Sequence, residues 1–331
     1  MGADAMRRRD FITLVGGAAA WPLAVYAQQQ PSRIARIGFL RASPAPESIM
    51  AALRRGLADL GYVEDERYVL RTSWGEGKLD RLPELAKTLV SDRVDIIVTD
   101  GTETARAARG ATPTIPIVLA GGLDPVRAGL AANLSQPDRN VTGFTTQVVE
   151  ATGKAFEILT ELLNGPTRIA VVKPKGSGVP FRGAETAAAQ ALKLDLKYFD
   201  LDNAEAETIN RTLERAVADK VQGVVIRGSP FFSTPQRKVI IERVAALRIP
   251  AIYETKEFVE LGGLISYGTD YSALFRLAAG YVVKILNGTN VRELPIEQAN
   301  KFELVINMKT AKALGIAVPP ALIVRADELI E

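Results

Sequence analysis

The chain has 331 residues, 47% of them hydrophobic and 24% charged, which excludes wholesale disorder and suits two domains of roughly 100–200 residues each. It contains no His and no Cys, so no Ser-His-Asp or Cys-His apparatus, disulfide, thiol redox chemistry or conventional N/S zinc site can be built from it. Lys and Arg are interspersed among Asp and Glu at a formal net charge of +3, a mixed solvated surface that argues against nucleic-acid binding.

The first segment reads as an address. Arg7-Arg8-Arg9 precedes a mildly apolar stretch from Phe11 to Tyr26, with small residues at Val25 and Ala27 before Gln28-Gln29-Gln30. That order is an export signal, cleaved near Ala27. Arg8-Arg9-x-Phe11-Ile12 resembles a twin-arginine (Tat) core, although Arg7 stands where Ser or Thr is usual. A membrane anchor is disfavoured because the apolar run is broken by Gly16, Gly17 and Pro22 and falls short of the ~20 residues needed to span. The expected location is the periplasm, which a chain without thiols suits.

From Ser32 on, short β-branched runs alternate with amphipathic stretches, the pattern of βαβ units. Strands are expected at Ile34–Leu40, Arg67–Ser73, Asp95–Thr99, Pro116–Leu119 and Val141–Thr145. Helices are expected at Glu47–Leu60, Leu79–Val90 and Thr102–Arg109, with another short one after Asp124-Pro125.

The same cycle then restarts. Helices are expected at Glu150–Leu163, Phe181–Leu192, Ala204–Ala218, Thr234–Leu247 and Thr255–Leu261. Strands are expected at Arg168–Val172, Lys197–Leu201, Gly223–Ile226, Pro250–Tyr253 and Gly263–Tyr267, before a helix at Ser272–Leu286. The tail offers extended Leu294–Gln298 and Phe302–Ile306, a helix Met308–Leu314 closed by Gly315, and a short acidic end. The fold class expected is α/β, with two Rossmann-like lobes, each a parallel-rich sheet flanked by helices.

In open α/β sheets ligands collect beyond the carboxyl ends of the strands, where helix N-termini present free N–H groups. The residues there are Ser43, Asp100-Gly101-Thr102, Gly122 with Asp124, and Thr145-Thr146 in the first half. In the second they are Lys173, Ser177, Gly228-Ser229, Tyr253-Glu254, and Tyr267 with Asp270. Each taken singly is as well explained as a turn or helix cap; the argument rests on their gathering at one edge.

Cofactor motifs fail. Gly75-x-Gly77 continues to Asp80 where a third Gly is required, Gly77-Lys78 lacks the upstream Gly of a P-loop, and Gly176-x-Gly178 runs on to Phe181. No calcium-type loop is present. Neither cofactor, metal nor catalytic residues are therefore expected.

Several runs then resemble, in order, one family of periplasmic substrate-binding proteins of ABC transporters. They include Ile115-Pro116-Ile117-Val118, Asp124-Pro125-Val126, Asn140-Val141-Thr142-Gly143 and Gly262-Gly263-Leu264-Ile265-Ser266-Tyr267-Gly268. The tail matches best, through Leu294-Pro295-Ile296-Glu297-Gln298, Lys301-Phe302-Glu303-Leu304-Val305-Ile306-Asn307, Pro319-Pro320 and Arg325-Ala326-Asp327-Glu328. This is the family that includes tryptophan-binding (TrpX-like) lipoproteins, and the resemblance runs through nearly the whole mature chain. It implies a type I periplasmic-binding architecture with three interlobe crossings, a small-molecule ligand in the cleft, delivery to an ABC permease and its ATPase, and no catalysis. The departures fall in the cleft: Lys173-Pro174-Lys175 where relatives often read Asn-Pro, and Ser229-Pro230 where they often read Asp-Pro.

The expected division is an export signal at 1–27, an N-terminal lobe of 32–146 plus 271–298, and a C-terminal lobe of 147–270 plus 299–331, in a monomer. Lys173, with Lys175 nearby, is expected to hold a carboxylate against the helix that begins at Thr102. Tyr253 and Tyr267 would supply flat walls. The ligand expected is an amino acid or small organic anion rather than a sugar. Two other readings remain: a periplasmic sensory partner of a membrane receptor, and a secreted enzyme using the Lys173 amine.

Overall fold

A computed structural model describes residues 33–165, 168–175, 182–228, 231–299 and 301–331. The export segment at 1–27, Ser177 and Ser229 lie outside these residues. The first sheet draws on β1 (Ala35–Arg41), β2 (Tyr68–Trp74), β3 (Ile96–Thr99), β4 (Ile117–Ala120) and β5 (Val141–Thr145), with α1 (Glu47–Ala58), α2 (Leu82–Ser91) and α3 (Thr102–Ala111) between strands. Next come α4 (Val148–Leu162), β6 (Arg168–Pro174), α5 (Arg182–Ala191), β7 (Asp195–Leu201), α6 (Ala206–Ala218) and β8 (Gly223–Ile226). They are followed by α7 (Thr234–Ala246), β9 (Ala251–Tyr253), α8 (Lys256–Glu260), β10 (Ile265–Thr269) and α9 (Tyr271–Leu286). The tail adds β11 (Ile296–Gln298), β12 (Phe302–Asn307), α10 (Met308–Leu314), α11 (Pro320–Arg325) and β13 (Glu328–Ile330).

Two sheets result, ordered β11-β5-β4-β3-β1-β2 and β13-β12-β10-β9-β8-β6-β7. All neighbours are parallel except β10 and β12. Central strands such as β3, β4 and β8 are buried along their whole length, as expected where helices cover both faces. One face of the first sheet packs Phe39 on Phe275 of α9 and Leu53 of α1; the other packs Leu119 on Ala105 and Leu89. The second sheet is likewise covered, by Leu213 and Ile240 on one side and Phe156 and Leu159 on the other.

The chain passes between the sheets three times: from β5 to α4, from β10 to α9, and from β11 to β12. The second and third passages are tied together. Asp270 caps α9 by accepting the Ala273 N–H at 2.8 Å, and its other oxygen takes the Lys301 ammonium at 2.8 Å.

One local expectation is corrected, and the tail gains an element. After Pro125 the chain makes successive turns rather than a helix, ending at Gly129 with φ of 71°. The acidic end becomes an edge strand, because β13 pairs in parallel with β12 and Asp327 exchanges two backbone-directed hydrogen bonds with Leu304.

Candidate functional site

Three neighbouring cavities open where the carboxyl ends of the two sheets face each other. The largest, of about 330 Å³, is bordered by Asp100, Gly101, Thr102, Gly122 and Thr146 from the first sheet, and by Lys175, Arg227, Gly228, Phe231 and Glu254 from the second. A smaller one of about 30 Å³ lies beside it, bordered by Thr152, Tyr253 and Tyr267 and sharing Thr146, Arg227, Glu254 and Tyr271. A third, of about 10 Å³, lies between Arg41, Asp100, Arg237, Glu257 and Tyr271. Tyr271 borders all three, and the low-dielectric surroundings hold its phenol proton on by raising its pKa.

The first sheet offers backbone. Gly101 holds φ of 103° and ψ of 157° at the N-terminus of α3, with no side-chain cap. That region of the backbone map is essentially closed to side chains with a Cβ. The first-turn N–H groups of α3 have no intrahelical acceptor and carry the positive end of the helix dipole into the cavity. Side chains here serve as clamps. The Thr102 hydroxyl accepts the Leu123 N–H at 2.9 Å and donates to the Leu123 carbonyl at 3.0 Å. The Thr146 hydroxyl donates to the Gly122 carbonyl at 3.2 Å, beside the Thr146 N–H, which donates to the same oxygen at 3.0 Å.

The second sheet offers a charge network. Glu254 accepts the Gly228 N–H at 2.8 Å and the Arg227 Nε–H at 3.3 Å. Arg227 also pairs with Glu185, which accepts the Tyr198 hydroxyl at 3.0 Å. Arg182 stacks over the Tyr198 ring at 4.5 Å and reaches Asp200 at 3.6 Å. Arg227 and Glu185 are both almost wholly buried, and buried charges persist only when paired in this way. Gly268 lets β10 approach the site, since a Cβ there would stand 1.9 Å from the Glu254 carbonyl oxygen.

The sequence-derived candidates sort by these placements. Asp100, Gly101, Thr102, Gly122, Thr146, Gly228 and Glu254 meet at the largest cavity, while Tyr253 and Tyr267 border the small one. Tyr253 is buried and stacked on Phe258, and Tyr267 on Phe302, so neither is a wall of the large cavity. Lys173 corrects its expectation most clearly. Strand β6 runs on to Pro174, the register sets Lys173 opposite Asp200, and the ammonium, 1% exposed, pairs with that carboxylate at 3.0 Å. It does not border the large cavity, and its ammonium is shut off from solvent.

Four more candidates sit elsewhere. Asp270 caps α9, and Asp124 accepts the Arg127 N–H of its own turn at 3.0 Å. The Thr145 carbonyl accepts the Ala299 N–H at 2.8 Å. The Ser43 hydroxyl donates to the Phe231 carbonyl at 2.9 Å, a direct bond between the two halves. Arg227, Phe231 and Tyr271 border the cavity but were not among the candidates; each lies within a few residues of one that was, so a wider window after each strand would have found them.

A family described as ABC transporter substrate binding protein matches residues 36–330. The chain belongs to that family. A tyrosine-binding protein of Clostridioides difficile is 24% identical over 279 residues, covering 82% of this chain and 78% of that protein. Among solved structures, a conserved domain protein of Vibrio cholerae superposes with a TM-score of 0.80 at 26% identity, covering 90% of this chain and all of the other. An ABC domain of Streptococcus pneumoniae in complex with L-Trp gives 0.77 at 23% identity, over 89% of this chain and all of that one. The two-lobed α/β architecture of type I periplasmic-binding proteins is therefore this protein's fold. It is a solute-binding protein rather than an enzyme, and ABC substrate-binding proteins are extracytoplasmic. Among the described residues no helix is long and apolar enough to cross a membrane.

Proposed function

We propose that this substrate-binding protein captures an α-amino acid with a large, apolar or aromatic side chain between its lobes and delivers it to an ABC permease and its ATPase for import. The observation that carries the reading is the polarity of the cavity. The first-turn backbone N–H groups of α3, which have no intrahelical acceptor and no side-chain cap, meet across the cleft the Glu254 carboxylate on its Arg227 support. An α-carboxylate is complementary to the helix terminus and an α-ammonium to Glu254. Leu79, Leu123, Phe231 and Tyr271 supply the apolar part of the lining. The tyrosine-binding relative and the L-Trp complex support the same ligand class.

Capture proceeds by hinge closure. Residues 32–146 with 271–298 form one moving body, and 147–270 with 299–331 the other. The three passages near Thr145–Val149, Gly268–Ser272 and Gln298–Phe302 absorb the rotation. The protein acts in the periplasm as a monomer, exported by the Tat-like segment and cleaved after Ala27; N-terminal sequencing of the secreted form checks the cleavage site.

The decisive experiment is a thermal-shift panel of amino acids, aromatic acids and sugars, followed by calorimetry. Tryptophan, tyrosine or a branched amino acid is expected to raise Tm, since a ligand at a hundredfold excess over its Kd adds about 2.7 kcal/mol. Glu254→Gln is expected to weaken that ligand about tenfold or more. A sugar hit, or an amino acid whose affinity is unchanged in Glu254→Gln, overturns the reading.

A further inference from the structure

The smallest of the three cavities brings together four buried charges that the ligand reading does not use as a set. On the first lobe Arg41 pairs with Asp100 through Nε, and its Nη1 donates to the Ser43 and Pro44 carbonyls at 3.2 and 2.8 Å. On the second lobe Arg237 of α7 is 2% exposed, its guanidinium 5.4 Å from the centre of the Phe258 ring, with Glu257 of α8 nearby. All four border one gap of about 10 Å³, the size of a single water molecule.

Two carboxylate oxygens there, Asp100 Oδ1 and Glu257 Oε2, are buried and have no hydrogen-bond partner among the described residues. A buried carboxylate oxygen without a donor is costly. Asp100 bears the mark of that cost: burial pushes its carboxyl up to about 6 despite Arg41 and Arg237. Arg237 is held down to about 10 by burial, partly offset by Glu257 and Asp100. The quartet has no net charge, and it is built half from each lobe. With the lobes together, the two carboxylates face the guanidiniums of Arg41 and Arg237 around one gap.

We propose that Arg237 is a positioning residue that latches the closed cleft by coupling to Asp100 across the lobe boundary, fixing the lifetime of the closed state without touching the ligand. Arg237 does not border the large cavity, whereas Asp100 borders both. The latch therefore reads lobe separation at the floor of the ligand site. It rests on the hinge reading but not on any particular ligand, so it is testable without one.

The chain has no Cys, which makes disulfide trapping of the closed form clean. A Ser43→Cys/Phe231→Cys pair joins the two sides of the bond between Ser43 and the Phe231 carbonyl. Under an oxidant slow relative to lobe motion, its oxidation rate in the ligand-free protein reports the fraction of time that the lobes are closed. In this background Arg237→Gln and Asp100→Asn are each expected to slow trapping about five- to tenfold, and the double variant no further than the slower single one. Arg237→Lys, which keeps the charge but not the planar fork, is expected to fall between. Cooperative unfolding of each variant shows that it is folded. Trapping at the parental rate in Arg237→Gln, or single effects that multiply in the double variant, overturns the latch and leaves the ligand reading standing. If the parental pair never traps without ligand, the latch is overturned, and trapping with the thermal-shift hit bound decides the hinge separately.

Discussion

The two lobes share a plan but build their halves of the site from different materials. The N-terminal lobe presents main chain: Gly101, the first turn of α3 and the Gly122 loop, held by the Thr102 and Thr146 clamps. The C-terminal lobe presents side chains in a relay of alternating charge from Asp200 through Arg182, Tyr198, Glu185 and Arg227 to Glu254. Main-chain groups have fixed polarity and little freedom once the turn is set, whereas a charge relay is only as rigid as its weakest pair. On the proposed reading, the first lobe fixes where a carboxylate sits, and the second decides which cationic group is accepted.

Breaking the relay is the harshest way to separate the lobes. Glu185→Ala leaves the buried Arg227 guanidinium with Glu254 as its only carboxylate partner among the described residues. Removing one member of a buried pair costs about 3–5 kcal/mol, so the denaturant midpoint is expected to fall sharply. Ligand affinity should fall as well, because Glu254 loses its support. An unchanged midpoint would mean that the relay is not a structural unit.

Gly101→Ala strikes the other lobe. The gap around Gly101 is open, the nearest atom to an added Cβ being the Thr104 hydroxyl at 3.8 Å, so the penalty is conformational rather than steric. Holding a non-Gly residue there costs about 1–3 kcal/mol. If the turn relaxes instead, the α3 N–H groups swing away, and ligand affinity falls more than stability does. Chemical denaturation together with calorimetry separates the two outcomes. Thr102→Val should have a comparable or smaller effect on stability, about 1–3 kcal/mol, by leaving the Leu123 N–H and carbonyl without their clamp.

The same contrast explains what the sequence disclosed. Turns of Gly and Thr after buried strands are local signals, so Gly101, Thr102, Gly122 and Thr146 were legible, and the β-α order placed both sheets. The relay was not legible. Glu185 lies 42 residues from Arg227 and 13 from Tyr198, and no local pattern pairs them. Lys173 was misplaced for a related reason: ending its strand at Val172 makes it a loop residue, whereas two further residues of pairing set it opposite Asp200. A single cross-strand carboxylate turns a candidate ligand contact into a structural ion pair. Asp270 differs in that its role as an N-cap was written locally, in the helix that follows it.

The mildest expected effect lies on the C-terminal lobe beside the third passage. Glu303 sits in an acid-rich patch, where burial pushes its carboxyl up to about 7; Asp270, Glu257 and Glu328 push the same way and Lys256 opposes them. Because the folded value is raised above the ordinary 4.5, the protonated form favours the folded state. Its contribution is fully present below about pH 4.5 and is lost progressively as the pH rises through about 7. Glu303→Gln, which stays neutral, is expected to flatten that part of the stability profile, leaving a variant less affected by alkali and little changed in acid. Glu303 is paired in register with Gly268 of β10, so its charge reports on the strand that carries the chain toward the second passage, next to the Lys301–Asp270 tie. If the Glu303→Gln profile runs parallel to that of the parent between pH 4.5 and 7, the ionisation belongs to another member of the patch. Glu260, also raised by burial, is then the next group to replace.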